Sequence, residues 1–263
     1  MKREPTMEEI RRAVLVGAGE GTVLIGGMAV SFMAASYGAD SGVPCITRDA
    51  DFFGDALAVE DAAFRLERSG YKAEVFMATM DDANTPNPGK IVVEISPDAH
   101  PVEIDFLARI DGLSSDEIER TAASILVDGA SLRVEHPILL LENKINNLAL
   151  YPAKRNEAGV NQARLSIIIA RKLLERSRSQ RDLLRAVERI WRLSMREGAC
   201  FVFSAFGLDV LNAVPTESVT SPEFSDKRWP QITALTQERR TKFESLRKRA
   251  KTGSSFMKRR FGI

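Results

Sequence analysis

The chain has 263 residues, 44% of them apolar and 28% charged, with a formal net charge of +1; this is the composition of an ordinary globular protein, long enough to bury one large core or two smaller ones. No run of 18 apolar residues suggests a membrane span, and "MKREPTMEEIRRAV" at the N-terminus lacks the apolar core of a signal peptide, so a cytoplasmic protein with no membrane partner is expected. Cys45 and Cys200 stand far apart outside any Cys/His cluster, and His100 and His136 both sit beside prolines, which argues against a disulfide framework, a zinc site or a histidine-based triad.

In chain order, "MEEIRRAVLVGA" (7–18) spaces Ile10, Ala13 and Val14 at three and four residues and predicts a helix. "TVLI" (22–25) is β-branched and apolar, a buried strand ending at Gly26 and Gly27, and "MAVSFMAASYG" (28–38) predicts the helix after it. "VPCITRDADFF" (43–53) is the next strand. "DALAVEDAAFRLERSG" (55–70) follows as an amphipathic helix, with Leu57, Phe64 and Leu66 expected inward and Gly70 as its C-terminal cap. "YKAEVFMAT" (71–79) alternates as a strand. The turn formers of "DDANTPNPGK" (81–90) separate it from "IVVEIS" (91–96) and "HPVEIDFLAR" (100–109), which "PDA" joins as a hairpin.

From about Ser114 helices prevail, with one further strand or turn at "SLRVEHP" (131–137). "ILLLENKINNLAL" (138–150) is an apolar helix carrying Lys144, "VNQARLSIIIARKLLERS" (160–177) a longer one, and "QRDLLRAVERIWRLSMREG" (180–198) an amphipathic one in a stretch with nine Lys/Arg between Arg171 and Arg196. Trp191, Phe201, Phe203 and Phe206 read as core rather than as a base-stacking platform. A Pro/Ser/Thr-rich loop (213–231) precedes a basic tail: Gln237 to Ile263 holds ten Lys/Arg against two Glu, a local balance of +8 that leaves residues 1–236 at −7. Such a tail either meets nucleic acid or another polyanion, or is a solvated helix. The expected organisation is an α/β domain over 1–135 and a helical domain with a basic tail over 136–263.

Asp49 and Asp51 stand out in an apolar run. In a regular strand residues i and i+2 share a face, so the two carboxylates project together. Two ionised carboxylates that close repel each other, and a hard divalent ion is their natural partner because it takes oxygen ligands and completes its shell with water and phosphate oxygens. A third acid on a neighbouring strand would allow two ions to clamp the attacking and leaving oxygens of an in-line displacement. Asp105 is placed for this, with Glu103 on the same face as the alternative. Gly26 and Gly27, between strand and helix, let backbone N–H groups approach an anion. Each feature alone has a plainer reading: a solvated turn pair for Asp49 and Asp51, an exposed strand residue for Asp105, a conformational turn for the glycines.

The order strand, Gly-Gly, helix, Asp-x-Asp strand, hairpin with an acid resembles the nucleotidyltransferase superfamily of the DNA polymerase β type. "GGMAV" with "ITRDADFF" is most similar to the abortive-infection type toxin nucleotidyltransferases and their small relatives, with weaker likeness at "LLLENKINNLALYPAKRN". The resemblance implies an α+β fold: a nucleotidyltransferase-like mixed sheet with flanking helices, followed by a helical C-terminal region. It further implies that Gly26 and Gly27 contact the phosphates of a nucleoside triphosphate, that Asp49 and Asp51 bind Mg²⁺ (or Mn²⁺), and that Asp105 ligates the catalytic ion and helps deprotonate the acceptor hydroxyl. Lys144 resembles a basic residue near the triphosphate, and Arg155 follows it; for both, solvation on a helix surface is the competing reading. The basic C-terminal helices and tail favour RNA as the acceptor, with a protein or a small molecule as the open alternatives, and a toxin-like member would pair with an antitoxin.

Two departures qualify the likeness. Met28 stands where many members have serine, so a hydroxyl contact would fall to Thr47 or Ser31, and Asn156 and Gln162 stand where relatives often have acids. A non-catalytic nucleotide- or partner-binding module on the same fold is the alternative function.

Overall fold

The first helix begins where the sequence supplies its cap. Thr6 Oγ1 accepts from Glu9 N at 3.2 Å and Thr6 N donates to the Glu9 carboxylate at 2.7 Å, a reciprocal capping box that satisfies two orphan donors. Helix α1 (Met7–Gly17) then buries Ile10, Ala13 and Val14. The structure, a computed structural model, describes residues 2–40, 42, 49–79 and 85–252, with side chains as far as 249.

Seven strands form one mixed sheet in the order β3-β4-β5-β2-β1-β7-β6. They are β1 (Val23–Ile25), β2 (Ala50–Phe53), β3 (Lys72–Met77), β4 (Gly89–Glu94), β5 (Val102–Leu107), β6 (Ala123–Val127) and β7 (Ala130–Val134). Strands β2 and β5 are parallel, as are β1 and β7; the other neighbours are antiparallel. The expected α+β architecture of a mixed sheet, flanking helices and a helical C-terminal region is the one observed.

The short central strands are apolar because both faces are covered. Phe52 and Phe106 lie 5.7 Å apart between ring centroids and are fully buried with Ala50 and Ile104, on the side where α1 meets α3 (Ala56–Arg68). On the other face Val23, Ile25 and Phe53 pack with Ile118 of α4 (Ser115–Thr121) and Leu139 of α5 (Pro137–Leu150). Helix α2 (Gly26–Tyr37) is buried through most of its length and packs on β1 and β2. It begins two residues earlier than its apolar pattern predicts, at the glycine pair itself.

Three other expectations need correction. Leu57 and Phe64, expected inward, are 70% and 58% exposed; α3 buries instead the small stripe Ala58, Val59, Ala62 and Ala63 with Leu66, because close approach to the sheet favours small side chains. The single strand or turn at 131–137 is the second arm of a hairpin, β6–β7, closed by Asp128 and Gly129 with φ of +50° and +84°, the two-residue turn that Asp-Gly favours. The helix expected over 180–198 is two, α7 (Gln180–Ser194) and α8 (Glu197–Phe206).

The chain divides into two compact units, Met1–Lys144 and Ile145–Ile263. In the second, α6 (Glu157–Glu175) is capped by Asn156, whose side chain accepts from Gly159 N at 2.9 Å, so Asn156 has a structural role here. Arg155 is engaged rather than solvated: it donates to the carbonyls of Leu148 and Ala149 at 2.9 and 2.8 Å and lies 4.5 Å from the Phe201 ring centroid. Helix α9 (Trp229–Thr252) takes up the first part of the basic tail. Three of its arginines face the protein: Arg239 donates to Met195 O at 3.1 Å, Arg240 pairs with Asp209 and lies 3.8 Å over Phe203, and Arg247 lies 5.3 Å over Phe201. Phe201, Phe203 and Phe206 are half-buried, the first two as platforms for these guanidinium groups. Among the described residues no single helix is long and apolar enough to cross a membrane.

Candidate active site

Backbone register builds the carboxylate pair. In the parallel ladder between β2 and β5, Asp51 stands directly opposite Asp105, with Ala50 opposite Ile104 and Phe52 opposite Phe106. The apolar partners turn to one face and the two acids to the other, where both are half-buried. Neighbouring strands lie about 4.8 Å apart, so the face presents two carboxylates side by side. Of the two candidates for the third acid, Asp105 is the residue aligned with Asp51. Glu103 is exposed, aligned with Val92 of β4, and its carboxylate lies 3.4 Å from Lys90 Nζ.

Asp49 lies just ahead of β2 rather than within it and is exposed. Thr47, with residues 43–48 of the predicted strand, falls outside the described residues. Among the described residues no group of three His, Cys, Asp or Glu side chains converges as a metal centre. The donor set is nonetheless the chemistry a hard cation takes: carboxylate oxygens alone, two of them in register and a third two residues upstream.

The glycine pair lies against this face. Ile25 is opposite Asp51 in the antiparallel β1–β2 ladder, so the next residue, Gly26, turns the chain at the carboxylate. Gly26 has φ +74°, and a Cβ there would overlap Asp51 Oδ2 and lie 3.0 Å from Cγ. Gly26 is therefore required twice, by conformation and by the closeness of Asp51. Gly27 is buried in the first turn of α2, whose N-cap, Ile25, offers no side-chain hydrogen bond to the helix. The first-turn N–H groups thus lack a side-chain cap of the kind that usually satisfies them. Met28 is buried in the core, and Ser31 Oγ donates to Gly27 O at 3.4 Å.

Lys144 is 5% exposed, which overturns the reading of a solvated helix-surface lysine. It belongs to a buried polar group at the end of β7: Glu135, 0% exposed, Glu142 and Asn143. Glu135 N donates to Leu24 O at 2.9 Å, which fixes this group one residue from Ile25 and the glycine turn. Asn143 Nδ2 donates to the Glu135 carboxylate at 3.1 and 3.3 Å. Periodicity does not single out Glu135 and Asn143; the available signal is that "VEHPILLLENK" sets acids, an amide and a lysine inside an apolar run, which burial tolerates only when they satisfy one another.

Burial raises the Glu135 carboxyl to about 7, opposed by the Asn143 hydrogen bond and the Lys144 charge and reinforced by Glu142. The linkage follows from an ordinary value of 4.5. Below that value folded and unfolded chains both hold the proton; between it and about 7 the unfolded chain ionises first, so this group lowers stability as pH rises, fully so above the folded value. Glu135→Gln keeps an acceptor for Asn143 and removes the ionisation. Urea titrations of variant and wild type at about pH 5 and pH 8 are expected to show the variant gaining on the wild type at the higher pH, by on the order of 2 kcal/mol. A difference that does not change with pH would contradict this.

No family model matches the sequence, and no curated protein matches it. Among solved structures, the chain is similar to the Megavirus polyadenylate synthase at 13% identity and a TM-score of 0.38, over 61% of this chain and 30% of that one. It is similar also to an antigenic nucleotidyltransferase-like protein from Paracoccidioides brasiliensis at 16% identity and a TM-score of 0.42, over 62% of this chain and 77% of that one. The chain spans less than a third of the length of the first of these.

Proposed function

We propose that the face formed by Asp51, Asp105 and the Gly26-Gly27 turn is the active site of a metal-dependent nucleotidyltransferase. In the reaction an acceptor hydroxyl oxygen bonds to the α-phosphorus of a nucleoside triphosphate, the bond from that phosphorus to the bridging oxygen breaks, and pyrophosphate leaves. The observation that carries the reading is the register of Asp51 opposite Asp105 with Gly26 closed against the Asp51 carboxylate. A carboxylate pair under a glycine turn at an uncapped helix start joins cation ligands to an anion site, and phosphoryl-type transfer needs little beyond such positioning and charge neutralisation.

Asp51 and Asp105, joined by Asp49, would hold Mg²⁺ or Mn²⁺, which when bound supplies neutralisation of the phosphate charge. The backbone N–H groups of Gly27 and the turn after it orient the triphosphate through the positive end of α2. Asp105 accepts the proton of the attacking hydroxyl at its carboxylate. Lys144, close to Glu135 at the end of β7, contributes positive charge beside the glycine turn. RNA is the acceptor this reading favours, since the second unit is rich in arginine, and a toxin-like role with an antitoxin partner follows if expression arrests growth.

The test is transfer of label from each of the four nucleoside triphosphates, with Mg²⁺ present, into total RNA, total protein and small-molecule extracts. Label entering one fraction with wild-type protein and none with Asp51→Asn is the expected result; no transfer into any fraction would refute the enzyme reading. The position of Asp49 outside β2 favours, as a second reading, a non-catalytic nucleotide- or partner-binding module, which the same assay separates from the first.

A further inference from the structure

The second unit carries a cleft of about 550 Å³ between α7 and the segment that leads into α9, within the size range of small-ligand sites. Its floor is apolar and aromatic, with Val187, Trp191 and Phe224. Phe224 is buried, Trp191 is half-buried, and at one wall Leu235 stays 45% exposed. Its rim is basic: Arg181 and Arg185, one turn apart on α7, face Arg228 across the opening, and all three are exposed.

Two further observations bear on what this cleft is for. The wall opposite α7 is a π-helical turn, Phe224–Arg228, a conformation rare in proteins and frequent at functional sites. Its first and last residues are the aromatic and the guanidinium that line the cleft. Of the three rim charges, moreover, only that of Arg185 is paired internally among the described residues. Arg185 is 3.6 Å from Asp182, and the one acid in the lining, Glu188, is taken by Arg192 at 2.6 Å; among the described residues Arg181 and Arg228 make no ion pair.

We propose that this cleft binds a single strand of nucleic acid, with a base against Trp191 and Phe224 and the flanking phosphates on Arg181, Arg185 and Arg228. An aromatic floor between basic rims is the arrangement that holds single strands without base-edge readout, stacking supplying affinity and the cations following the backbone. Guanidinium groups on both sides of the opening and along one helix suit a chain of phosphates better than one terminal phosphate. The inference deepens the proposed function by assigning the place where a single-stranded acceptor is held, and rests on that reading only for the strand's role as acceptor; binding stands on the cleft.

The experiment uses the full chain with Asp51→Asn, without nucleoside triphosphate, so that binding is read apart from transfer. Fluorescence anisotropy of a short labelled single-stranded RNA is expected to show binding that Arg181→Glu or Arg228→Glu weakens about tenfold or more, with the slope of log affinity against log salt falling by about one for each phosphate that no longer meets an arginine. Arg164→Glu, the same charge change on an exposed α6 position, should leave affinity within about twofold, the small effect of a surface change away from the strand. In a Trp229→Phe chain, strand binding should quench the remaining Trp191 emission. Equal weakening by Arg164→Glu, or competition by poly-glutamate as strong as by RNA, would overturn the proposal in favour of a diffuse charge effect. Competition by a mononucleotide as strong as by the strand would overturn it in favour of a small-molecule site. RNA binding by a wild-type chain that labels no RNA, protein or small-molecule fraction would leave the cleft standing and refute the nucleotidyltransferase reading; transfer to RNA unaffected by Arg181→Glu and Arg228→Glu would do the reverse.

Discussion

Asp51→Asn is expected to lower nucleotidyl transfer by about three orders of magnitude, the several kcal/mol of charge stabilisation that a metal-holding carboxylate supports. Asp51 occupies the middle of the site: opposite Asp105 on β5, opposite Ile25 on β1 and against Gly26. Asparagine preserves shape and removes the charge, so the fold should persist while the reaction fails. Asp105→Asn should behave alike. Glu103→Gln is the discriminating control, because Glu103 is exposed, aligned with Val92 and paired with Lys90; an exposed pair is worth about 0–1 kcal/mol, so its loss should change transfer less than about fivefold. Steady-state rates for the three variants, with circular dichroism to verify folding, decide the matter. Equal losses for Glu103→Gln and Asp51→Asn would mean that the strand register does not define the site.

Gly26→Ala should damage both the protein and its chemistry. The added Cβ meets a backbone at φ +74°, which costs about 1–3 kcal/mol for a non-glycine residue. It also occupies the space of the Asp51 carboxylate, whose Cβ would lie 3.2 Å away. The carboxylate can rotate aside, and that is the harm, since a displacement of about 1 Å at a reacting centre can cost about 10²-fold in rate. Urea unfolding should show the stability loss and the transfer assay the rate loss. Gly21→Ala, at an exposed glycine with nothing near its added Cβ, should do neither. A Gly26→Ala protein with full activity would show that Asp51 need not be held where the glycine holds it.

The face of the sheet that carries the acids was legible in the sequence because a strand's side chains alternate strictly. The alternation of Val102, Ile104 and Phe106 with Glu103, Asp105 and Leu107 survives in the burial of β5. What one sequence cannot supply is which residue of β5 stands opposite Asp51, a pairing fixed by contacts between distant segments; the structure resolves it to Asp105. Helix α3 misleads for a different reason: size and hydrophobicity point to Leu57 and Phe64, whereas its contact with the sheet is made by alanines. Lys144 misleads again, since a charged residue reads as surface, and its burial depends on partners brought from β7 and α5. The Asp-Gly turn of β6–β7 was there to be read from Asp128 and Gly129.

The strand order has a consequence for how the protein folds. Its hairpins, β3–β4, β4–β5 and β6–β7, join segments near one another in the chain, whereas β2–β5 and β1–β7 join segments far apart. Closing long loops is entropically costly and slow, so parallel pairings between distant segments form after local ones. Asp51 meets Asp105 across one of these late pairings, and Glu135 reaches Leu24 through the other. A nascent or partly unfolded chain can therefore hold its hairpins while lacking the carboxylate pair altogether. On the proposed function, transfer would require both long-range pairings to be in place.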